Sequence, residues 1–240
     1  MQVKLPKKIM PDRLKDAIVE IHYDYALPFE VLLGIIFHNL DDNFIYTNAP
    51  FDLNKKQFEN LYPQTNSSVF YNDKIKVLCR PNSFIFNFLS SYIGWLDYEK
   101  EIYNFLSQIK TPQLEGIKFN RTSVRYISEY ENVSLDKCFK FKFTYGMPDV
   151  QSDVFTFRSE FSQNKLSIFL NLQNRIRIVN EKDGESNSIS VVDIDVLDDN
   201  FETNKLEDLM KIVSNVHNKQ KEVFFSIITD EFLKTLKPEY

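Results

Sequence analysis

The chain has 240 residues, of which 43% are hydrophobic and 26% charged, a composition typical of a globular protein with a sizeable core. Its net charge is −5 and its pI is about 5.4, so no overall positive field attracts it to nucleic acid or to an anionic membrane. Aromatic residues are abundant, with 22 Phe and 12 Tyr, whereas only 5 Gly are available for phosphate-cradling loops.

The compartment can be predicted from the cysteines and from the absence of long apolar segments. Cys79 and Cys138 lie far apart in strand-like runs, which favours two free thiols over a disulfide and a reducing cytoplasm. No stretch reaches the ~20 apolar residues of a membrane span, and the first residues lack the apolar core of a signal peptide. We therefore expect a cytoplasmic location and no membrane partner.

The first half of the chain predicts a mixture of strands and helices. The turn residues Asn72–Asp73 and Pro81–Asn82 separate three short strands. The predicted elements, in order, are a strand over Ala17–Tyr25, a helix over Pro28–Leu40, a helix over Lys55–Leu61, strands over Ser68–Tyr71, Lys74–Arg80 and Ser83–Leu89, and a helix over Leu96–Lys110.

The second half predicts a run of strands followed by a long helix. Thr111–Pro112 through Gly116 is the predicted boundary, which gives an N-terminal half over 1–112 and a C-terminal half over 113–240. The predicted strands are Ile117–Tyr130, Phe139–Tyr145, Val154–Phe161, Leu166–Leu172, Arg175–Asn180 and Ile189–Val196, with a polar hairpin loop over Glu181–Asn187. The fold class is therefore α+β: a largely antiparallel sheet in two β-rich halves, each backed by a helix.

The C-terminal helix is the longest predicted element. Apolar residues recur on one side at helical spacing, and the predicted buried stripe consists of Leu209, Val213, Val216, Phe224 and Ile228. Three consecutive apolar residues at 223–225 cannot all face one sheet, so Phe224 or Phe225 is a candidate for a partner surface. Thr229, followed by two acidic residues, predicts that the helix breaks and restarts there.

Two acidic strands, one near each end of the chain, are the first candidate for a site. Glu20, His22 and Asp24 share one strand face, as do Asp193 and Asp195 on another strand. If the two strands were neighbours, these groups could hold a divalent cation. The alternative, which is the common pattern of antiparallel sheets, is that they form polar outer faces.

Arg121 and Arg125 alternate with apolar residues on one strand and need acceptors if they are buried. A structural ion-pair network with Glu20, Asp193 or Asp195 is the leading interpretation, and an anion-binding pair or simple exposure are the alternatives. His217 lies beside the apolar stripe and is interpreted as a helix histidine without a catalytic role.

No common catalytic or cofactor motif is present in the sequence. It has no Walker loop, no Gly-rich dinucleotide turn, no Gly-x-Ser-x-Gly elbow and no zinc-ligand spacing. Phe139, Phe141 and Phe143 alternate with Lys140 and Lys142, so the apolar and basic side chains lie on opposite faces and do not form a base-stacking platform. We predict no catalytic residue, metal or cofactor, and no binding of nucleic acid.

Three stretches together carry a resemblance to a known family. They are Leu14–Ile21, Arg121–Ile127, and Val192–Val196 with the following helix that contains His217, Phe224 and Thr229. Their order and spacing resemble the "sporadically distributed" TIGR-type family of uncharacterised bacterial proteins. The chain differs from that family at Ser123, where Gly is usual, and at Ser128, where Asn is usual. The patchy distribution of the family implies mobile genes, which are often components of antiviral defence or toxin–antitoxin modules.

The function expected from these observations is binding of a partner protein, or self-association, without enzymatic activity. The resemblance implies a bacterial defence or toxin–antitoxin type module. The alternative is an enzyme or small-ligand-binding protein that uses an acidic and arginine face made by Glu20, Arg125, Asp193 and Asp195.

Overall fold

The computed structural model describes residues 5–47, 68–110, 112–141, 154–179 and 186–240. Within these ranges there are nine strands and five helices. The strands are β1 (Leu14–Asp24), β2 (Ile45–Thr47), β3 (Ser68–Tyr71), β4 (Ile75–Arg80), β5 (Ser83–Phe88), β6 (Lys118–Glu131), β7 (Phe155–Gln163), β8 (Leu166–Val179) and β9 (Ser186–Asp198). The helices are α1 (Phe29–Asn39), α2 (Trp95–Ile109), α3 (Leu135–Cys138), α4 (Leu206–Ile227) and α5 (Asp230–Thr235).

The strands form one open antiparallel sheet in the order β2-β3-β4-β5-β1-β6-β9-β8-β7, so the predicted α+β class is confirmed. The chain divides into two compact units, and neither is a continuous segment. The central unit comprises residues 18–123 and 198–214, and the terminal unit comprises residues 1–17, 124–197 and 215–240. None of the described helices has the length and apolar character needed to cross a membrane.

The central unit is built around an aromatic cluster between its strands and α2. Period-2 alternation places Phe84 and Phe86 of β5 on the face that α2 covers. The ring of Phe105 on α2 lies within 5.5–6.3 Å, centroid to centroid, of the rings of Phe44, Phe70, Phe84 and Phe86. This cluster fixes α2 on the sheet, because each buried ring excludes water from its neighbours.

The terminal unit contains the meander β7–β8–β9. Alternate residues of β8 and β9 are buried, namely Ile168, Leu170, Leu172, Val192, Ile194 and Val196. Helix α5 adds Phe232, whose ring packs against the rings of Tyr130 and Phe139. The predicted cap is confirmed, since the Thr229 side chain accepts a hydrogen bond from the Phe232 backbone N–H.

The prediction of separate strands over Leu166–Leu172 and Arg175–Asn180 is wrong, because β8 is a single strand with an irregularity between Gln173 and Ile176. Asn174 Oδ1 accepts a hydrogen bond from the Leu135 backbone N–H at 2.8 Å, and the Arg175 backbone N–H donates to Ser190 Oγ at 3.0 Å. At this bulge, where the sequence predicts a break, the Ser190 side chain therefore satisfies the Arg175 backbone N–H, and the Asn174 side chain reaches the start of α3.

Several other predicted elements differ from the structure or lie outside it. Neither β2 nor the four-residue α3 was predicted. Phe139 forms only an isolated bridge with Ile228, and residues 142–145 of the strand predicted there lie outside the described residues. The helix predicted over Lys55–Leu61 and most of the loop predicted over Glu181–Asn187 also lie outside them.

Candidate functional site

Helix α1 carries apolar residues on its exposed side as well as on its buried side. Leu32 and Ile36 face the interior of the central unit. On the outer side, Val31 and Phe37 are 45% and 63% exposed, and Leu27, just before the helix, is 48% exposed. Among the described residues, the outer side of α1 and the residue before it therefore present three apolar side chains that are about half exposed, a feature that marks interaction sites.

Gly34 lies at the centre of this surface, which we define as the α1 surface: Leu27, Val31, Gly34 and Phe37. A Cβ atom built at Gly34 would have no atom within 4 Å, so no described residue covers this position. Because 3.6 residues make one turn, positions 31, 34 and 37 fall on neighbouring parts of the same side. The ring of Phe37 contacts the ring of Tyr46 edge-on at 5.7 Å, which orients it against the end of the sheet.

Two polar residues lie within the α1 surface. Glu30 and His38 are both exposed. At 3.6 residues per turn, Glu30 falls between Gly34 and Phe37 around the helix, and His38 falls between Gly34 and Val31. The exposed side of α1 therefore combines apolar and polar side chains. The sequence predicted α1 itself, but the hydrophobic pattern alone does not show which side of such a helix remains uncovered.

Arg125 forms the ion pair that the sequence predicts for it, and its partner is Asp193. Its Nε donates to Asp193 Oδ1 at 2.9 Å, and its Nη2 donates to Asp193 Oδ2 at 2.8 Å. The two side chains are 25% and 11% exposed, so the pair is only partly shielded from water. This bidentate geometry is the strong form of a carboxylate–guanidinium contact, and it uses two donors that an anionic ligand would need.

The ion pair belongs to a row of polar residues that crosses the terminal unit. In the sheet register Asp193 lies opposite Asn171, and Asn171 lies opposite Arg158. Asp195 is half-buried and lies opposite Phe169. Strand alternation places these side chains on the face opposite to the buried Leu170, Leu172 and Ile194. This is the arrangement expected if the acidic residues belong to a polar outer face of the sheet.

In the central unit Glu20 and His22 form a separate pair on β1, with His22 Nε2 at 3.0 Å from Glu20 Oε1. Burial raises the pKa of Glu20, but the hydrogen bond and charge of His22, with smaller effects of Ser83 and Arg80, leave it lowered overall. Asp24 is exposed and accepts a hydrogen bond from Asn120 Nδ2 at 2.7 Å. Among the described residues, which include all the acidic candidates, no group of three or more His, Cys, Asp or Glu could hold a metal ion.

Arg121 and His217 have different environments from the ion-pair residues. Arg121 is exposed, and among the described residues its side chain forms no salt bridge. His217 is 6% exposed, and its ring lies 5.7 Å from the ring of Tyr126. Burial, and to a lesser extent the charge of Lys221, lowers the pKa of His217 to about 3, so the imidazole is neutral at physiological pH.

Phe224 and Phe225 are both half-buried, and their rings contact each other edge-on at 5.2 Å. The predicted stripe is correct at Leu209, Val213, Val216 and Ile228, but Val223 is buried more completely than Phe224. Neither phenylalanine is among the strongly exposed apolar residues, so the α1 surface exposes more apolar area than this pair.

Replacing Arg125 with alanine should leave the Asp193 carboxylate without its bidentate partner. Breaking a buried pair costs ~3–5 kcal/mol, and because this pair is partly exposed we expect a loss near the lower value. Urea unfolding measures the change, with Arg121→Ala on the same strand as the control and an expected change within about 0.5 kcal/mol. In the double variant Arg125→Ala/Asp193→Ala the loss should be smaller than the sum of the single losses. Equal effects of Arg125→Ala and Arg121→Ala would contradict a structural role for the pair.

The neutral, buried His217 predicts a specific dependence of stability on pH. Between a folded pKa of about 3 and the ordinary value of 6.5, the unfolded chain binds a proton that the folded chain does not. The free energy of unfolding should therefore fall as the pH drops from 7 to 5, with a contribution of up to about 1.4 kcal/mol per pH unit. His217→Gln should remove this contribution, and His38→Gln, on the exposed side of α1, is the control. If the free energy of unfolding changes equally with pH in both variants, His217 is not the group that causes the pH dependence of stability.

Comparisons with protein-family models, curated proteins and solved structures found no match to this chain. The resemblance to the "sporadically distributed" family therefore stays a prediction.

Proposed function

We propose that this chain is a non-enzymatic protein that binds a partner protein, and that the α1 surface is where the partner binds. The observation that supports the proposal is the exposure of Leu27, Val31 and Phe37 around an uncovered glycine. Several exposed apolar side chains on one side of a helix favour an interaction site, because their contact with water is unfavourable.

The free energy that burial of these apolar side chains would contribute is large enough to support protein association. Complete burial of one Val, Leu or Phe side chain contributes ~1.5–3 kcal/mol. Since Leu27, Val31 and Phe37 are each about half exposed, covering all three would contribute roughly 2–4 kcal/mol, as a small cluster of interface hot spots does. Gly34 has no side chain, so an apolar side chain of the partner can approach the backbone of the helix. The partner is therefore a protein that presents apolar side chains with polar neighbours.

The proposal includes a bacterial defence or toxin–antitoxin type module and a cytoplasmic location. The family resemblance supports a partner from a bacterial defence or toxin–antitoxin module. A cytoplasmic location agrees with the two cysteines, which are free as predicted, one buried and one half-buried. The alternative function on the acidic and arginine face has less support, because the Asp193 carboxylate already occupies two donors of Arg125.

The variant Gly34→Glu tests the proposal, because it should weaken partner binding without lowering the stability of the fold. The new side chain meets open space, and replacing a helical Gly should stabilise α1 by several tenths of a kcal/mol, so the melting temperature should not fall. The charge would stand in the middle of the apolar surface and should reduce partner affinity at least tenfold, because an unpaired carboxylate would have to be buried. Asn218→Glu, on the exposed side of α4, is the matched control.

The assay is affinity capture from the source cells, followed by binding of the purified captured protein to each variant. The proposal predicts a protein that binds the wild-type chain and Asn218→Glu but not Gly34→Glu. A captured protein that binds Gly34→Glu as tightly as it binds the wild-type chain would place the binding surface elsewhere. If purified wild-type chain binds none of the captured proteins, the proposed function is wrong.

A further inference from the structure

The exposed residues of helix α1 are arranged symmetrically about its midpoint. The helix spans Phe29–Asn39, so its middle residue is Gly34. Its exposed residues are Glu30, Val31, Gly34, Phe37 and His38. They therefore lie three and four residues before the midpoint and three and four residues after it, and these spacings bring residues onto one side of a helix.

The side chains at the matched positions complement each other. Three residues from Gly34, Val31 and Phe37 are both apolar and are 45% and 63% exposed. Four residues from Gly34, the carboxylate of Glu30 matches the imidazole of His38. Neither of these two polar side chains forms a hydrogen bond or salt bridge with a described residue. A helix with this pattern is complementary to itself when its direction is reversed.

We propose that the partner of the α1 surface is a second copy of this chain, whose α1 packs antiparallel on the first with the two helices crossing at Gly34. This inference rests on the proposed function, because it names the protein that covers the α1 surface. In an antiparallel pair, residues equally far before and after the crossing point lie at the same height along the two helices. Glu30 is then level with His38 of the second copy, and Val31 is level with Phe37 of the second copy.

This arrangement uses every exposed residue of the helix. An imidazole can donate a hydrogen bond to a carboxylate whether or not it carries a charge, so both contacts between Glu30 and His38 are attractive. Gly34 leaves open space on the surface, and the Phe37 ring of each copy can pack into that space on the other copy. Because both copies contribute the same surface, the contact closes as a dimer.

Other arrangements of two α1 helices are less favourable. A parallel pair would place Glu30 level with Glu30 of the second copy, and like charges in an interface repel each other. Moving the crossing point by one turn, to Glu30 or His38, also brings identical polar groups together and shortens the overlap of two 11-residue helices. The antiparallel pair centred on Gly34 joins unlike groups along the whole helix, and this complementarity favours a second copy as the partner.

Charge changes on α1 test the surface. The purified wild-type chain should sediment at twice its mass of 28.4 kDa at a concentration of about 100 μM. Glu30→Lys and His38→Glu each remove both attractive contacts, so each should weaken dimerisation roughly tenfold or more. Glu115→Lys, an equal charge change at an exposed position outside α1, is the control and should leave the dimer intact.

The double variant Glu30→Lys/His38→Glu tests the direction of the pair. In the antiparallel arrangement each introduced lysine is level with an introduced glutamate, so this variant should dimerise at least as well as the wild-type chain. In a parallel pair the introduced lysines would face each other and the double variant would be monomeric, which would contradict the proposal. Circular dichroism melts show whether each variant is folded, and the double variant remains informative even if one single change lowers stability.

This inference and the proposed function can fail separately. In the capture experiment, the protein that binds the wild-type chain but not Gly34→Glu should be the chain itself. If it is a different protein, the α1 surface binds a partner as proposed, but that partner is not a second copy. A monomeric wild-type chain, or a dimer that resists both Glu30→Lys and His38→Glu, would also overturn the inference.

Discussion

Each strand of a sheet presents alternate side chains to opposite faces, and this alternation decides which residues of the chain can be buried. In the terminal unit it places Leu170, Leu172 and Ile194 on the buried face. The same alternation places Asn171 and Asp193 on the other face, where polar groups can meet water or one another. The polar side chains that looked like parts of an active site are therefore largely a consequence of strand geometry.

The ion pair of Arg125 and Asp193 shows how this polar face is stabilised. Both groups lie between neighbouring strands, where water reaches them only in part. Two hydrogen bonds to one carboxylate satisfy the guanidinium in the geometry that it prefers. With these donors occupied, Arg125 is better suited to joining strands than to binding an anion. Glu20 and His22 form a comparable polar pair on β1 of the central unit.

Elements with a strict local period could be predicted from the sequence, and features that depend on distant partners could not. β3 was predicted at its observed bounds because turn residues follow its short apolar run, and the break before α5 was predicted from Thr229. By contrast, the backbone N–H at the start of α3 is satisfied by Asn174, 39 residues away in sequence, which no local pattern reveals. The partner of Arg125 could be narrowed to three carboxylates, but the choice among them depends on strand order.

The correspondence between strands of the two halves is another feature that the local sequence pattern does not reveal. Near each end of the sequence, a strand with acidic residues at alternate positions leads into an amphipathic helix, with Glu20 and Asp24 on β1 and Asp193 and Asp195 on β9, and this pattern suggests a loose repeat. Among the described residues, the order of elements is strand, helix, meander and helix in both halves, with four meander strands in the first half and three in the second, so that β1 corresponds to β6 and β5 to β9. In each repeat the last meander strand is the neighbour of the first strand, β5 beside β1 and β9 beside β6. Acidic residues on a polar face carry no information about strand order, so the acidic pattern alone does not decide which strands correspond.

The α1 surface is proposed to bind a partner protein, and site-specific photo-cross-linking tests this proposal most directly. A photoreactive amino acid in place of Gly34 would project into open space and should form a covalent adduct with a partner protein in the source cells. The same amino acid in place of Asn218, exposed on α4, is the reference. The account predicts a discrete adduct at position 34 that is absent at position 218. No adduct at position 34, or the same adducts at both positions, would contradict it.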